Sequence, residues 1–579
     1  MIQNILLNKY SGCAIAIIAL IFFSSCKQSS SVDLIVTNGV VYTVDSNSSM
    51  AEAIAITDGK IIAIGTNDEL MGLQGEGTEV IDAGGNFIMP GFIEGHGHFP
   101  GLGMSLQDLN FLKSRSWQEI VDAVAEKVET AKPGEWIIGR GWHQEKWQDT
   151  LMNNVLGYPY HNSLSAISPD NPVMLVHASG HGLFANAYAM KIAGLTSETA
   201  TPSGGNIVRS PNGEAIGMFE ENAMAIVRDA YSEYQRSLSA EEIRQKWYEG
   251  IALAEKECLK KGVTSFQDAG SSLMEIEGLR KLAEEGELDL RLWAMIRHES
   301  EYLNGKLDDY PVIDAGDGFF TCRGIKLSID GALGSYGAWL LEPYDDNPGF
   351  YGQNTKSIEE LNARAQMCID NGMQFCVHAI GDRANREVLD AFEAQFKDSG
   401  LNGPDLRWRI EHAQHIHPDD IPRFAELGVI ASMQGVHCTS DAPYVVKRLG
   451  TKRASDGAYV WKSLLEAGAV VTNGTDAPVE DVDPIESFYA TVTRKRVDTG
   501  LEFFTAQALT REEAIYSYTM ANAFAAFEED VKGSLEPGKY ADLVILSRNL
   551  LTCNDEQILD TQILMTMIDG QIAYQDENF

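Results

Sequence analysis

Residues 87–98 read Phe87-Ile-Met-Pro-Gly-Phe-Ile-Glu-Gly-His-Gly-His98, an apolar run that ends in two histidines. Such a run predicts a buried strand with polar side chains at its carboxyl end. Seven further predicted strands follow, alternating with helical stretches, which is the pattern of βα units around a parallel sheet. The predicted strands cover residues 87–93, 263–268, 290–297, 324–328, 374–377, 407–411, 429–433 and 470–475. Eight such strands predict an α/β fold of the (β/α)8 TIM barrel type.

Both ends of the chain add short strands to this barrel. Residues 33–86 and 526–579 carry short β-rich runs, and in the first segment Asn38-Gly39 and Asp58-Gly59 are turn signals. Neither end has enough strands for an independent sheet, so we predict a composite β-sandwich domain built from both termini. The barrel then occupies residues 87–525. Nearly 170 residues separate the first predicted strand from the second. A structureless loop of that length is uncommon, so we predict a large insertion of about residues 110–255 after the first barrel strand.

The first 25 residues form a distinct segment. Lys9 is their one charged residue, and the apolar run over residues 13–23 is shorter than the roughly 20 residues that span a bilayer. We therefore expect residues 1–25 to be a signal peptide. Phe23-Ser-Ser-Cys26 resembles the lipobox of bacterial lipoproteins, which implies a lipid-modified Cys26, a tether over residues 26–32 and a membrane anchor. The alternative is an ordinary cleaved secretory peptide, and in both cases we expect export to the bacterial cell envelope.

The composition restricts the partners of the chain. It has 83 acidic and 45 basic residues and a formal charge of −38. A nucleic-acid binder needs a basic face that displaces counterions from phosphates, so we expect no nucleic-acid partner. Six cysteines follow residue 26 without a C-x-x-C pair, and we expect them to be thiols in the core. The oligomeric state stays open.

Metal-competent side chains fall at the carboxyl ends of five predicted strands. They are His96 and His98 after the first strand, Lys326 in the fourth, His378 at the end of the fifth, His412 after the sixth and Asp476 after the eighth. This end of a barrel is where active sites lie. Two imidazoles at i and i+2 can reach one cation from the same side. A lysine within an apolar strand is costly unless its charge is cancelled or lost.

The joint pattern resembles the amidohydrolase superfamily, and longer strings are similar to the branch that contains N-substituted formamide deformylase. These strings are Pro90-Gly-Phe-Ile-Glu-Gly-His-Gly-His98, Lys326-Leu-Ser-Ile-Asp-Gly-Ala-Leu-Gly-Ser335, His378-Ala-Ile-Gly-Asp-Arg-Ala384 and Asn473-Gly-Thr-Asp-Ala-Pro478. The resemblance implies that His96, His98 and Asp476 bind a buried metal. It implies that His378 and His412 bind a second metal and that a carboxylated Lys326 bridges the two. Zinc suits these ligands best, with manganese, iron or nickel as alternatives, and one or two ions are both compatible.

The resemblance also implies the reaction, which is hydrolysis of an amide-like, non-peptide carbon–nitrogen bond in a small-molecule substrate. A metal-activated hydroxide would attack the carbonyl carbon, with Asp476 as general base and then general acid. The enzymatic alternatives are a hydrolytic deaminase and a lactone or ester hydrolase. The alternative that is not an enzyme is a degenerate binding lipoprotein that has kept the barrel.

Four further residues are candidate substrate contacts. His437 follows the seventh strand, and Asp330 follows the fourth, where an Asp before Gly331 is equally typical of a turn. His181 and Arg140 lie in the insertion, with packing or solvation as the alternative. Relatives commonly carry an arginine where this chain has Tyr336, so the resemblance points away from a substrate carboxylate at that position. The tryptophans of the insertion suit either an aromatic pocket or a small core.

Overall fold

The computed structural model describes residues 32–579 except 112–113, 143, 145–146, 149–152, 178–181, 203–204 and 335. The predicted signal peptide, the lipid-modified Cys26, all of the tether except its last residue, and His181 lie outside the described residues. In the part of the chain that is described, no helix is long and apolar enough to cross a membrane. The six cysteines of this part are free thiols, five buried and Cys553 half-buried.

Short strands joined by tight turns open the described chain. Asn38 and Asp58 take φ values of +55° and +49°, the left-handed conformation that such hairpin turns require. The elements are β1 (Leu34–Thr37), β2 (Val40–Tyr42), β3 (Met50–Ala51), β4 (Ala53–Thr57), β5 (Lys60–Gly65), α1 (Asn67–Met71), β6 (Glu79–Asp82) and β7 (Phe87–Pro90). Four of the strands form one sheet in the order β5-β4-β1-β6.

The first predicted strand, residues 87–93, is wrong in its bounds because two strands share this run. β7 pairs in parallel with β2 and antiparallel with a C-terminal strand at Leu543–Leu546. The barrel begins only at β8 (Phe92–Gly97), so residue 92 replaces residue 87 as its first residue. Gly91 separates the two strands, and a Cβ there would lie 2.1 Å from Thr264 Oγ1. The apolar run is continuous across Gly91, so hydrophobicity alone did not reveal the break.

The insertion after β8 contains its own six-stranded sheet, in the order Gly205–Arg209, Ala215–Glu221, Gly182–Ala185, Val173–His177, Ile137–Trp142 and Leu109–Asn110. Trp117 and Trp142 belong to one of its hydrophobic clusters and Trp136 to another, so these tryptophans build small cores. The elements are α2 (Phe99–Gln107), β9 (Leu109–Asn110), α3 (Trp117–Thr130), β10 (Ile137–Trp142), β11 (Asn154–Val155), β12 (Tyr158–Pro159), α4 (Asn162–Ile167), β13 (Val173–His177), β14 (Gly182–Ala185), α5 (Ala187–Ile192), β15 (Gly205–Arg209), β16 (Ala215–Glu221), α6 (Ala225–Ser237) and α7 (Ala240–Lys260).

The remaining strands complete the barrel. The elements are β17 (Val263–Ser271), α8 (Leu273–Glu284), β18 (Arg291–Ile296), α9 (Ser300–Leu303), β19 (Val312–Asp314), α10 (Ala315–Gly318), β20 (Phe320–Ser328), α11 (Ile358–Asn371), β21 (Gln374–Ala379), α12 (Asp382–Ser399), α13 (Gly403–Leu406), β22 (Arg409–His412), α14 (Ile421–Leu427), β23 (Ile430–Gln434), α15 (Gly435–Leu449), α16 (Thr451–Gly457), α17 (Trp461–Glu466), β24 (Val471–Gly474), α18 (Pro484–Thr493), α19 (Arg511–Ser517) and α20 (Met520–Ala525).

Eight of these strands form a nearly closed parallel barrel, as predicted. Their order is β24-β23-β22-β21-β20-β18-β17-β8, and β19 pairs antiparallel with β20 outside it. Two backbone hydrogen bonds connect the ends of the first and last strands, from Asp476 N to His96 O at 2.7 Å and from His98 N to Ala477 O at 2.6 Å. The residues that follow β8 and β24 are therefore fixed beside each other.

The chain ends in β25 (Leu543–Leu546), α21 (Asp555–Ile558), β26 (Ile563–Ile568) and β27 (Gln571–Gln575). These strands extend a sheet of both termini, in the order β27-β26-β25-β7-β2-β3. Ile54 and Ile56 of the N-terminal sheet share a hydrophobic cluster with Leu543 and Ile545. Buried Arg291, at the start of β18, donates from Nε to Asp542 Oδ2 at 2.8 Å and so connects the barrel to the C-terminal sheet.

Candidate active site

The six predicted metal ligands come together at the carboxyl end of the barrel. Their positions follow from the parallel register, in which Ser328 of β20 is beside His378 of β21, and Ala379 of β21 is beside His412 of β22. Five of the six line one cavity of about 790 Å³, namely His98, Lys326, His378, His412 and Asp476. The sixth, His96, is completely buried beside them.

The tightest group consists of His96, His412 and Asp476. One donor atom from each of these residues lies within 4.8 Å of the others. Asp476 Oδ1 is 3.3 Å from His98 Nε2 and 3.7 Å from His96 Nε2. His378 Nε2 is buried and has no hydrogen-bond partner among the described residues. An orphaned imidazole nitrogen beside two more imidazoles and a carboxylate fits a divalent cation such as zinc.

The protonation states of the buried histidines and of Asp476 suit metal binding. Burial lowers the pKa of His96 to about 4 and that of His378 to about 3, and Lys326 acts in the same direction. The imidazoles of His96 and His378 are therefore neutral at pH 7, which is the form that binds metal. Burial alone would raise the pKa of Asp476, but the neighbouring His98, His96 and His412 outweigh it and hold the pKa well below its usual value.

The backbone is unusual at two of these positions. His412 and Asp476 take φ values of +73° and +59°, in the left-handed region that residues with a Cβ rarely occupy. Such conformations persist only where the surrounding structure enforces them, and they cluster at functional sites. The hydrogen bond from Asp476 N to His96 O holds one of the two in place.

Behind His96 lies a buried ion pair that the sequence reasoning missed. His96 Nδ1 is 2.5 Å from Glu411 Oε2, and Arg409 Nε is 2.8 Å from Glu411 Oε1. Arg409 Nη2 also donates to Gly95 O and to Ser432 Oγ, each at 2.8 Å. Arg409 and Glu411 are two positions apart in β22, which puts both side chains on one face of the strand, and this spacing of opposite charges could have revealed the pair.

Two further buried groups position the ligands. Glu94 accepts hydrogen bonds from Thr475 N at 2.7 Å and from His96 N at 3.2 Å, and burial raises its pKa to about 8. Gln434 Oε1 is 2.8 Å from His412 Nδ1, which leaves Nε2 of His412 for another partner. Neither group was predicted, since an isolated Glu or Gln in a strand carries no distinctive pattern.

Lys326 lies against the histidines. Its Nζ is 3.5 Å from His96 Nε2, and the residue is only 2% exposed. Burial is the main cause that lowers its pKa to about 8, against the opposing effect of Glu411 and Asp476. A larger fraction of the amine is therefore uncharged at neutral pH than in an exposed lysine.

Of the four candidate substrate contacts, two lie at this site. His437, in the first turn of α15, is buried with Nε2 at 3.9 Å from Asp476 Oδ2. Asp330 lines the cavity and accepts backbone hydrogen bonds from Trp339, Ile380 and Gly381 at 2.9, 3.0 and 2.8 Å. It therefore fixes the segments that follow β20 and β21.

The other two candidates are not placed at the cavity. Arg140 is exposed on β10, in the sheet of the insertion, and it is not among the described residues that line the cavity. His181 lies outside the described residues. The aromatic pocket is also not seen, because no tryptophan is among the described lining residues.

The rest of the lining is strongly polar and was not foreseen. It consists of Arg297, His298, Glu299, Leu327, Ser328, Thr355, Lys356 and Arg364. Three of these eight side chains are permanently cationic, in a chain whose formal charge is −38. With Lys326, the cavity lining has four basic side chains against the three carboxyl groups of Glu299, Asp330 and Asp476.

Comparison with known proteins agrees with this geometry. Residues 79–574 match the amidohydrolase family. Protein LONG AFTER FAR-RED 3 of Arabidopsis thaliana is 33% identical over 94% of this chain and 91% of its own length. N-substituted formamide deformylase of Arthrobacter pascens is 26% identical over 94% and 98%. A crystal structure of an uncharacterized metal-dependent hydrolase from Pyrococcus horikoshii is 28% identical, covers 90% of this chain and 99% of its own, and has a TM-score of 0.68.

The barrel and its histidine-rich end thus define a metal-dependent hydrolase. More narrowly, the chain belongs to the amidohydrolase family, and the predicted resemblance is confirmed.

Proposed function

We propose that this protein hydrolyses an amide-like, non-peptide carbon–nitrogen bond of a small molecule. The observation that carries the proposal is the convergence of His96, His412 and Asp476, whose donor atoms lie within 4.8 Å of one another. They meet at the end of the barrel where active sites form, beside a cavity of about 790 Å³. This volume is in the range of small-molecule sites, about 300–1,000 Å³.

The residues fall into distinct roles. The six predicted ligands, His96, His98, Lys326, His378, His412 and Asp476, would hold one or two divalent ions. A bound ion supplies Lewis acidity and lowers the pKa of water. Asp476 takes the proton of the attacking water on a carboxylate oxygen and later returns it to the leaving nitrogen. His437, which is buried beside Asp476, contacts the substrate.

Zinc and a carboxylated Lys326 are further parts of the proposal. Imidazole and carboxylate ligands favour zinc over magnesium or calcium, which prefer sites made of oxygen ligands alone. The neutral amine of Lys326 is the form that reacts with carbon dioxide, and burial increases its fraction. The amine nitrogen forms a bond to the carbon of carbon dioxide and releases one proton to solvent, and the resulting carbamate would add a carboxylate to the ligand set.

A substrate screen tests the proposed reaction. Metal-reconstituted protein is offered N-formyl amines, N-acyl amino acids, cyclic ureides and lactones. We expect amide cleavage by the wild-type protein and a loss of about 10²-fold or more in kcat for Asp476→Asn with the fold retained. Asp122→Asn, at an exposed position of α3, is the matched control and should keep full activity.

Two outcomes would overturn the proposal. Wild-type rates in Asp476→Asn would remove the proposed acid and base. Release of ammonia from an amino-heterocycle without any amide cleavage would replace amide hydrolysis by deamination.

We also propose export and lipid attachment through Cys26, supported by the sequence of residues 13–26. The protein should fractionate with membranes of the producing bacterium, and its mature N-terminus should be a lipid-modified Cys26 in mass spectrometry. Cys26→Ser should release a soluble form. An unmodified N-terminus at another residue would instead identify an ordinary secretory peptide.

Finally, we propose that the two terminal sheets form one composite sandwich domain. The cluster that Ile54 and Ile56 share with Leu543 and Ile545 supports this. A fragment of residues 33–525, which lacks the C-terminal strands, should then fail to fold cooperatively in a thermal melt.

A further inference from the structure

The cations of the cavity differ in how far neighbouring carboxylates neutralise them. Lys356 Nζ forms an ion pair with Glu299 Oε2 at 2.5 Å. Arg364 Nη2 lies 3.2 Å from Glu360 Oε1. Arg297 has no carboxylate within ion-pair distance among the described residues, and its one side-chain hydrogen bond there is a long one of 3.5 Å to Ser328 Oγ. Arg297 is therefore the least neutralised of the three charges.

Arg297 is an exposed residue whose backbone lies beside that of a predicted metal ligand. It follows β18, where Ile296 is beside Ile325 of β20, so the next positions along the two strands are Arg297 and Lys326. Neighbouring strands lie about 4.8 Å apart. Its aliphatic stem packs over Gly270, where a Cβ would lie 2.9 Å from Arg297 Cβ and 3.0 Å from Cδ. Gly270 thus provides the room in which this arginine lies.

Arg364 supplies a second, unused donor. It is completely buried, yet it is one of the residues that line the cavity. Its Nε donates to Ser300 Oγ at 2.7 Å, while Nη1 has no hydrogen-bond partner in the described part of the chain. A buried guanidinium nitrogen without an acceptor is costly, which indicates a site for an acceptor that binds from the cavity.

We propose that Arg297 and Arg364 form a carboxylate subsite and that the substrate is an anionic amide, in the size class of an N-acyl amino acid. One cation without a carboxylate partner suits a monoanion, whereas a phosphate carries more charge. Planar guanidinium groups match the geometry of a carboxylate. Because Arg297 neighbours Lys326, only a few atoms separate the carboxylate from the bond that is cleaved.

The arginines of the cavity revise the expectation, drawn from Tyr336, about a substrate carboxylate. The chain has Tyr336 where relatives carry an arginine, which pointed away from a substrate carboxylate at that position. The structure places Arg297 and Arg364 at the same cavity from β18 and α11 instead. These two arginines can therefore bind an anion without a basic residue at position 336.

The catalytic test rests on the proposed hydrolysis and uses a matched substrate pair. N-formyl-β-alanine carries a carboxylate where N-formylpropylamine carries a methyl group. We expect kcat/KM to favour the anionic amide, and Arg297→Met to reduce kcat/KM for it by about tenfold or more with little effect on the neutral one. Arg297→Lys should retain part of the preference. Arg280→Met, an arginine of α8 outside the cavity lining, is the control.

A binding test separates this inference from the proposed reaction. Ligand-observed NMR measures binding of N-acetylglycine and of neutral N-methylacetamide to wild-type and Arg297→Met protein. If Arg297→Met binds N-acetylglycine more weakly than the wild type but binds N-methylacetamide equally well, the subsite is supported even if no amide is hydrolysed. Equal binding of N-acetylglycine by both proteins, or no binding by the wild type, overturns the subsite whatever the screen shows.

Discussion

The Nδ1 atom of His96 lies 2.5 Å from the Oε2 atom of Glu411, and both residues are completely buried. This contact assigns the proton of the imidazole to Nδ1, so that Nε2, which faces Lys326 and Asp476, carries the lone pair. Burial alone would raise the pKa of Glu411, but Arg409, His96 and Lys326 hold it well below its usual value. Glu411 is therefore an anion that orients His96, the arrangement that strengthens a histidine ligand.

Glu411→Gln should weaken metal binding. The amide keeps the shape of the side chain but removes the charge that polarises His96, and loss of such a partner typically lowers metal affinity by about 10- to 100-fold. Competition with a chromogenic chelator measures the affinity. The exposed Glu249→Gln, which lies on α7, is the control. Unchanged affinity in Glu411→Gln would show that the ion pair has no part in metal binding.

Lys326→Ala should abolish hydrolysis, and a short carboxylic acid should restore part of it. The substitution leaves space beside His96 that acetate or propionate can occupy, replacing the carboxylate of the proposed carbamate. Activity is measured with increasing acetate, and ¹³C NMR of wild-type protein in labelled bicarbonate detects the carbamate. A Lys326→Ala protein with full activity and no acetate dependence contradicts the proposed role.

Asp330→Ala should lower the melting temperature. The variant leaves three backbone N–H groups without their acceptor, and each such buried group costs about 1–3 kcal/mol. A melt by circular dichroism measures the effect. If Asp330 only contacted substrate, KM would rise while the melting temperature stayed at the wild-type value.

Glu255 should make the protein less stable as the pH rises. The side chain is 8% exposed, and burial raises its pKa from about 4.5 to about 7. Below the lower value both the folded and unfolded states are protonated. Between the two values only the folded state keeps the proton. The free energy of unfolding therefore falls as the pH rises from the lower value, and the contribution of Glu255 is lost once the pH has passed about 7. The loss is up to about 3 kcal/mol.

Glu255→Gln isolates this effect. It keeps an acceptor for Asp289 N, which donates to Glu255 at 2.9 Å, but it cannot titrate. The fall in melting temperature between about pH 5 and pH 8 should be smaller in Glu255→Gln than in the wild type. Glu249→Gln on the same helix should show the wild-type fall. An identical fall in all three proteins would refute the assignment to Glu255.

The barrel and its metal ligands could be predicted because predicted strands alternate with helical stretches along the sequence, as strands and helices do in the structure. The strand-like segments that end in His378, His412 or Asp476 indicate both a buried strand and the residue at its carboxyl end. The division at Gly91 could not be predicted, because hydrophobicity does not change when a chain passes between two buried sheets. Glu94 and the contact of Glu411 with His96 were missed because they join residues that are distant in the chain.

The cations of the cavity were missed for a related reason. Arg297 and Arg364 follow a strand and lie within a helix, 67 positions apart in the chain. Each resembles an ordinary surface charge in the sequence. Only the fold shows that both line the cavity of Asp476.

Metal content together with activity tests the central claim most directly. Purified protein is analysed by plasma mass spectrometry, depleted with a chelator and then reconstituted with zinc. We predict about one or two equivalents of divalent metal per chain, loss of amide hydrolysis on depletion and its recovery on addition of zinc. A well-folded protein that hydrolyses the amide at full rate without stoichiometric metal would contradict the proposed function.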